Sequence, residues 1–292
     1  MIEINTKTIF NELINLSDSL EAYNNLTNSI YFEFQSIFSN WQNSKGEYFK
    51  HTVLENKSKD KQLMDGIYHF ITAVRIANES YRELGEHILV EEDSKDYIND
   101  KYGLALEAYQ EIITIYDSIQ NLSLYPDAEN IVIEKETLQL QMDQMREYMG
   151  KTSTSLEKIE KIEDEFKGRL DGFDLIYIPE EVVVEGNATK DSDQYFFKND
   201  EIEPRAKVIS LLLVNRGKLL QKIQISLDTI IANYQSRNQK KMMEMKSTII
   251  ASLNNSRNNL RVFNDYIKEE CDNADSLVRR NINRLEGLVR EQ

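Results

Sequence analysis

The apolar residues of this chain recur at alternating intervals of four and three over stretches many turns long, and that repeat restricts the fold more than any other feature. The first series is Ile9, Leu13, Leu16, Leu20, Tyr23, Thr27, Ile30, Phe34, Ile37. The second is Leu63, Ile67, Phe70, Val74, Ala77, Tyr81, Leu84, Ile88, and it extends back through Phe49 and Val53 across the polar patch ENKSKDK. A third runs Leu138, Met142, Met145, Met149, Thr152, Leu156, Ile159, Glu163, Phe166, Leu170. A 3.5-residue repeat keeps one stripe against a partner helix and winds the pair left-handed. With only three Pro and ten Gly in 292 residues, there are few breakers to interrupt such helices. The expected fold is all-α: an elongated antiparallel coiled coil or helical bundle with one small non-helical insertion.

Four segments follow from the pattern. Residues 1–89 read as a helical hairpin, with a helix from near residue 9 and a turn in SNWQNSKGEYF, where Asn, Ser and Gly favour caps and turns. Residues 90–172 read as a second helical pair: an acidic stretch, a helix over 104–122 with Ala105, Ile112, Ile115, Ile119 and Leu122 on one face, and the helix of the third series. Residues 173–204 change character. FDLIYIPEEVVVEG places β-branched and aromatic runs around Pro179, as a short hairpin or extended cap would. Residues 205–292 return to helix through Leu220, Ile223, Leu227, Ile230, Tyr234, Met242, Met245, Ile249, Leu260, Phe263 and Ile267, with a break or bend expected in the Asn-rich stretch 254–259, although an Asn-rich surface can also lie on an unbroken helix.

Charge divides the chain. Residues 1–204 hold 19 Lys/Arg against 41 Asp/Glu, and residues 205–292 hold 16 against 9. The basic segment has interspersed acids and few aromatics for base stacking, so docking on the acidic part of the chain is expected and nucleic acid is not. One cysteine, Cys271, excludes an intrachain disulfide. The three histidines, His51, His69 and His87, lack the i,i+4 spacing of helical metal sites, and no phosphate-loop, dinucleotide or nucleophile-elbow motif occurs. No catalytic residue, cofactor or metal is expected. The Met cluster at 242, 243 and 245 reads as core. The longest apolar run, 209–214, is far short of a membrane span, and the opening MIEINTKTIF lacks the apolar region of a Sec signal peptide.

The sole tryptophan, Trp41, stands in the expected turn, with Gly46 and Phe49 after it. Large rings on both sides of an interhelical turn can seal the open end of a hairpin. Residues 1–89 resemble the WXG100 family and the longer LXG proteins of type VII secretion, in which two heptad-patterned helices flank a Trp-x-Gly turn and a Phe follows. The spacing departs from that family: four residues separate Trp41 from Gly46, and Asn43 stands two after Trp41. Such families also carry a Tyr-x-x-x-Asp/Glu export signal late in a helix. Tyr81 does not meet it, since Gly85 lies four residues on, whereas Tyr266 does with Glu270. A fainter similarity, to the tellurite and toxic-anion resistance family, lies in LLQKIQISLDTII and DSLVRRN, without the Pro-x-Trp that follows in that family.

The resemblance implies a non-enzymatic protein of a Gram-positive type VII pathway, exported without a signal peptide or acting as a targeting partner. Its hairpin would bind a small helical protein or a second copy through an open apolar stripe. A cytoplasmic coiled-coil scaffold or stress-resistance protein is the alternative, and it requires every seam to close within the chain. A helical pore-forming toxin is disfavoured, because Asp174, Glu180, Glu181 and Glu185 punctuate its only candidate membrane tip.

Overall fold

The alternating repeats fold as helices paired along their stripes. The structure, a computed structural model, describes residues 1–91, 94–120, 128–172, 182, 184 and 196–290. In chain order these form β1 (Ile2–Asn5), α1 (Thr6–Phe38), β2 (Trp41–Gln42), α2 (Ser44–Arg82), β3 (His87–Val90), α3 (Ser94–Gln120), α4 (Ala128–Asp171), β4 (Phe196–Phe197), α5 (Asn199–Ala232), β5 (Tyr234–Gln235) and α6 (Gln239–Arg290). Among the described residues the fold is all-α apart from these short strands. Hairpin α1–α2 packs against hairpin α5–α6 as a four-helix bundle, with α1 lying most closely along α5. At one end, here the sheet end, β1 is the centre of an antiparallel β3–β1–β5 sheet, pairing Ile4 with both Ile88 and Tyr234. At the other end, the tip, β2 pairs with β4 and sets Trp41 opposite Phe197.

Local chemistry explains the boundaries. Asn5 caps α1 by accepting from the Thr8 N–H at 3.0 Å, and Asn43 caps α2 by accepting from the Gly46 N–H at 2.7 Å. Helix α1 therefore starts at Thr6, ahead of the position expected near residue 9. Helix α2 crosses ENKSKDK unbroken and ends at Arg82, because Gly85 turns the chain at φ +157°. Ile88, expected on the helical series, is consequently buried on strand β3. Helix α5 starts at Asn199, so 199–204 belong to the helix; Pro204 sits exposed near its start, where water can take the carbonyl left without a donor.

The break expected at 254–259 is not there. Helix α6 is continuous, and the chain turns instead at 233–238, where Asn233 ends α5 and β5 joins the sheet. Two of these Asn residues use their amide donors within the helix or across the bundle, so the stretch does not have to leave the helix. Asn254 donates to its own turn, to the Ile250 carbonyl at 3.0 Å, and buried Asn259 donates to Asn56 on α2 at 3.1 Å.

The first and last sequence segments share both hydrophobic cores. Toward the sheet end, α1, α2, α5 and α6 bury Leu16, Phe70, Leu227 and Ile249 together, and α4 contributes Ile159, Phe166 and Leu170. Toward the tip, Phe34, Phe49, Ile209 and Phe263 form a second core. Most of the expected extended excursion over 173–204 lies outside the described residues; its Val182 and Val184 pack against the tip core. Among the described residues, no helix is long and apolar enough to cross a membrane.

Candidate functional site at the hairpin tip

The tip is built by the turn between α1 and α2. Its strand β2 turns the indole of Trp41 inward, where it is 1% exposed. Phe49, one turn into α2, stacks on it with ring centroids 5.4 Å apart and planes at 29°. Tyr266 of α6 stacks on the same indole at 6.0 Å and 27°, and Phe197 of β4 meets it edge-on at 5.3 Å. Gly46 makes this arrangement possible. A Cβ there would stand 2.5 Å from the Trp41 carbonyl oxygen and 2.9 Å from its ring, so position 46 tolerates no side chain as the tip stands. The close Trp–Gly approach is thus present across a longer spacing, because the first turn of α2 brings Gly46 back beneath the indole.

The five residues singled out in the sequence converge here. Tyr266 packs on Trp41 and Phe49, and Glu270, one turn later, is buried and accepts from the Lys45 ammonium at 2.5 Å. Burial works against the Lys45 charge, but the Glu270 carboxylate more than offsets it and raises the Lys45 pKa. Burial likewise raises the Tyr266 phenol, against the pull of Lys45. Lys45 also lies over the Tyr266 ring, 5.3 Å from its centroid. Tyr266 and Glu270 therefore form part of the packed tip, with Glu270 turned away from solvent.

Two further polar clusters lie inside the bundle. Midway along it, Tyr31 donates to Asp60 at 2.6 Å and accepts from Asn56 at 2.8 Å. Beside them the fully buried Arg216 donates to Ser256 at 2.6 Å and lies 4.2 Å above the Tyr23 ring. Burial lifts the Tyr23 phenol to about 12, partly opposed by Arg216. This polar layer separates the two apolar cores, and a groove of about 420 Å³ between α1 and α2 reaches it, lined by Thr27, Tyr31, Asp60 and Tyr68 among others. At the sheet end, buried Glu163 of α4 accepts from Tyr81 at 2.6 Å, Tyr234 at 3.2 Å and Asn238 at 2.9 Å.

Asn56, Asp60 and Arg216 were not singled out in the sequence, yet the register carried a signal. Val53, Asn56, Asp60, Leu63 keeps the same three-four-three spacing through ENKSKDK, and Arg216 falls in step between Leu213 and Leu220. Among the described residues, no group of three or more His, Cys, Asp or Glu is placed to hold a metal ion. Cys271 is buried, and burial pushes its thiol up to about 12, so it is a poor nucleophile near neutrality. Comparison with protein-family models, curated proteins and solved structures gives no match.

Proposed function

We propose that this chain is a non-catalytic helical interaction protein of a type VII secretion pathway, built on a WXG-like hairpin whose pairing hairpin is supplied by the same chain. The observation that carries this reading is the tip: Trp41 stacked on Phe49 with Gly46 pressed against it. A small helical partner then cannot bind on the hairpin seam. From Ile9 to Ile37 every residue of the α1 series is buried, as α5 and α6 already cover it. The surface left for such a partner is the outer side of α1 and α5, where Phe32, Leu211, Val214 and Ile225 are each more than half exposed. Tyr266 and Glu270 would serve as an export signal only when the tip loosens, since folding ties both into it.

The test is release from a strain with an intact type VII apparatus. The reading expects uncleaved protein outside the cell, less of it for Tyr266→Phe, which keeps the stacked ring, at an unchanged cytosolic level, and less partner recovered with Leu211→Asp. Retention of the wild-type chain while small substrates of the same apparatus are released would overturn it. That closure of the hairpin seam within one chain specifically favours a second reading, an intracellular helical scaffold. Under that reading the wild-type chain stays inside the cell, and its partners are recovered from the cytosol whether or not the apparatus is present.

A further inference from the structure

Two helical projections leave the bundle from opposite ends. Helix α3 follows β3 at the sheet end, and α4 joins the bundle only from about residue 159 onward, where Glu163 meets Tyr81 and Asn238. The rest of the α3–α4 pair extends outward as an arm of about 40 Å at 1.5 Å per residue. Helix α6 starts beside Asn238 at the sheet end, reaches the tip at Glu270 beside Lys45, and continues to Arg290. Its tail, residues 276–290, projects beyond the tip for about 22 Å, and all its described side chains are exposed.

Each projection carries an open heptad series. On the outer side of α3, Tyr97, Lys101, Leu104, Ala108, Glu111 and Ile115 alternate by four and three, and all six are exposed. On the tail, Val278, Ile282 and Leu285 continue the spacing that α6 uses inside the bundle, with Leu277 beside them; these four are about half exposed or more. Apolar stripes of this kind in water mark contact surfaces. Their charges are opposite. Helix α3 holds Asp96, Asp100, Glu107, Glu111 and Asp117 against Lys95 and Lys101, a net of −3. The tail holds Arg279, Arg280, Arg284 and Arg290 against Glu286, a net of +3. The α3 series spans about 27 Å, close to the length of the tail.

The tail cannot fold back onto α3 of its own chain, because the length of the bundle, about 50 Å along the 33 residues of α1, lies between them. We propose that the tail of one copy docks on the outer face of α3 in the next, joining copies head to tail. The contact is heterologous: each molecule offers one tail and one arm, so assembly yields chains or closed rings. Opposite charge on the two surfaces disfavours tail-to-tail and arm-to-arm pairing and sets the partner.

The experiment uses full-length protein, with mass measured by light scattering after size exclusion across concentration. The wild-type chain is expected to give dimers and longer species that grow with concentration and diminish in high salt. A tail variant, Ile282→Asp with Leu285→Asp, and an arm variant, Leu104→Asp with Ile115→Asp, are each expected to be monomeric. Mixed in equal amounts they should give a one-to-one dimer and nothing longer, since one intact arm meets one intact tail. These four positions are exposed, so circular dichroism should show unchanged helix content; Arg279→Glu with Arg284→Glu provides a tail variant that leaves the apolar stripe intact and should also weaken assembly. Wild-type protein that stays monomeric at every concentration overturns the proposal, as does an arm variant that still self-associates through its tail. Binding of phosphatidylserine vesicles by a monomeric wild-type chain, lost in the tail variant, would assign the tail to lipid and overturn it equally.

Discussion

The two ends of the bundle are closed by different chemistry. The tip is closed by shape: Trp41, Phe49 and Tyr266 stack, Phe197 meets them edge-on, and the indole Nε1 has no acceptor among the described residues. The sheet end is closed by donors: Tyr81, Tyr234 and Asn238 converge on the single buried carboxylate of Glu163. A closure made chiefly by ring packing fails when volume or fit is changed, and only the Lys45–Glu270 pair and the Tyr266 phenol beside it answer to proton balance. A closure made by donors and phenols fails when the acceptor or the protonation state changes, and it tolerates more variation in volume.

The largest effect should come from removing volume at the tip. Trp41→Ala is expected to destabilise the fold by roughly 3 to 5 kcal/mol, because a fully buried ring leaves a cavity among rigid aromatic neighbours; denaturant unfolding measures it, and a loss below about 1 kcal/mol would break the comparison. Next comes alkali, which should act away from the tip. Burial raises the phenols of Tyr23, Tyr81 and Tyr234 above their ordinary value, Tyr23 to about 12. A raised phenol contributes its stability in full below about pH 10, and that contribution is lost as pH climbs through the folded value. Tyr23 alone then accounts for roughly 2 kcal/mol lost by pH 12. Titration followed by circular dichroism should show unfolding above pH 10, moved upward in Tyr81→Phe.

Fit at the tip should matter next. Gly46→Ala is expected to destabilise by roughly 1 to 3 kcal/mol, since its methyl must push aside the Trp41 backbone. A Gly46→Ala, Trp41→Phe double variant should not recover, since the Trp41 carbonyl oxygen that stands 2.5 Å from the new Cβ is unchanged; recovery would assign the clash to the ring instead. The smallest effect should be Glu163→Gln, about 1 to 2 kcal/mol, because the amide oxygen can still accept from both tyrosines while its NH₂ faces the Asn238 donor. A larger loss there than at Gly46 would reverse the ranking of the two ends.

Most of the helical frame was legible because the heptad series is long and the core stays in register with it. Legibility failed where the period stayed intact but the chemistry changed. Asn56, Asp60, Arg216, Ser252, Ser256 and Asn259 keep seam spacing, yet polarity there suggested a surface or a break, and only the facing helix supplies Asn56 for Asn259 and Ser256 for Arg216. The strands outside 173–204 were illegible for another reason. They are two to four residues long, and Ile88 fits a helical series as well as it fits β3. At the tip, the residue types of Trp41, Gly46 and Phe49 were legible, whereas the addition of Tyr266 and Glu270 depends on α6 running unbroken to the same end.

The hairpin is sealed within its own chain, with the sole tryptophan locked in the seal. Emission of Trp41 in the isolated full-length protein, with acrylamide quenching, tests it directly because no other indole contributes. A blue-shifted maximum and slow quenching are expected, both becoming water-like only as the bundle unfolds. A water-exposed maximum with rapid quenching in the folded protein would contradict it.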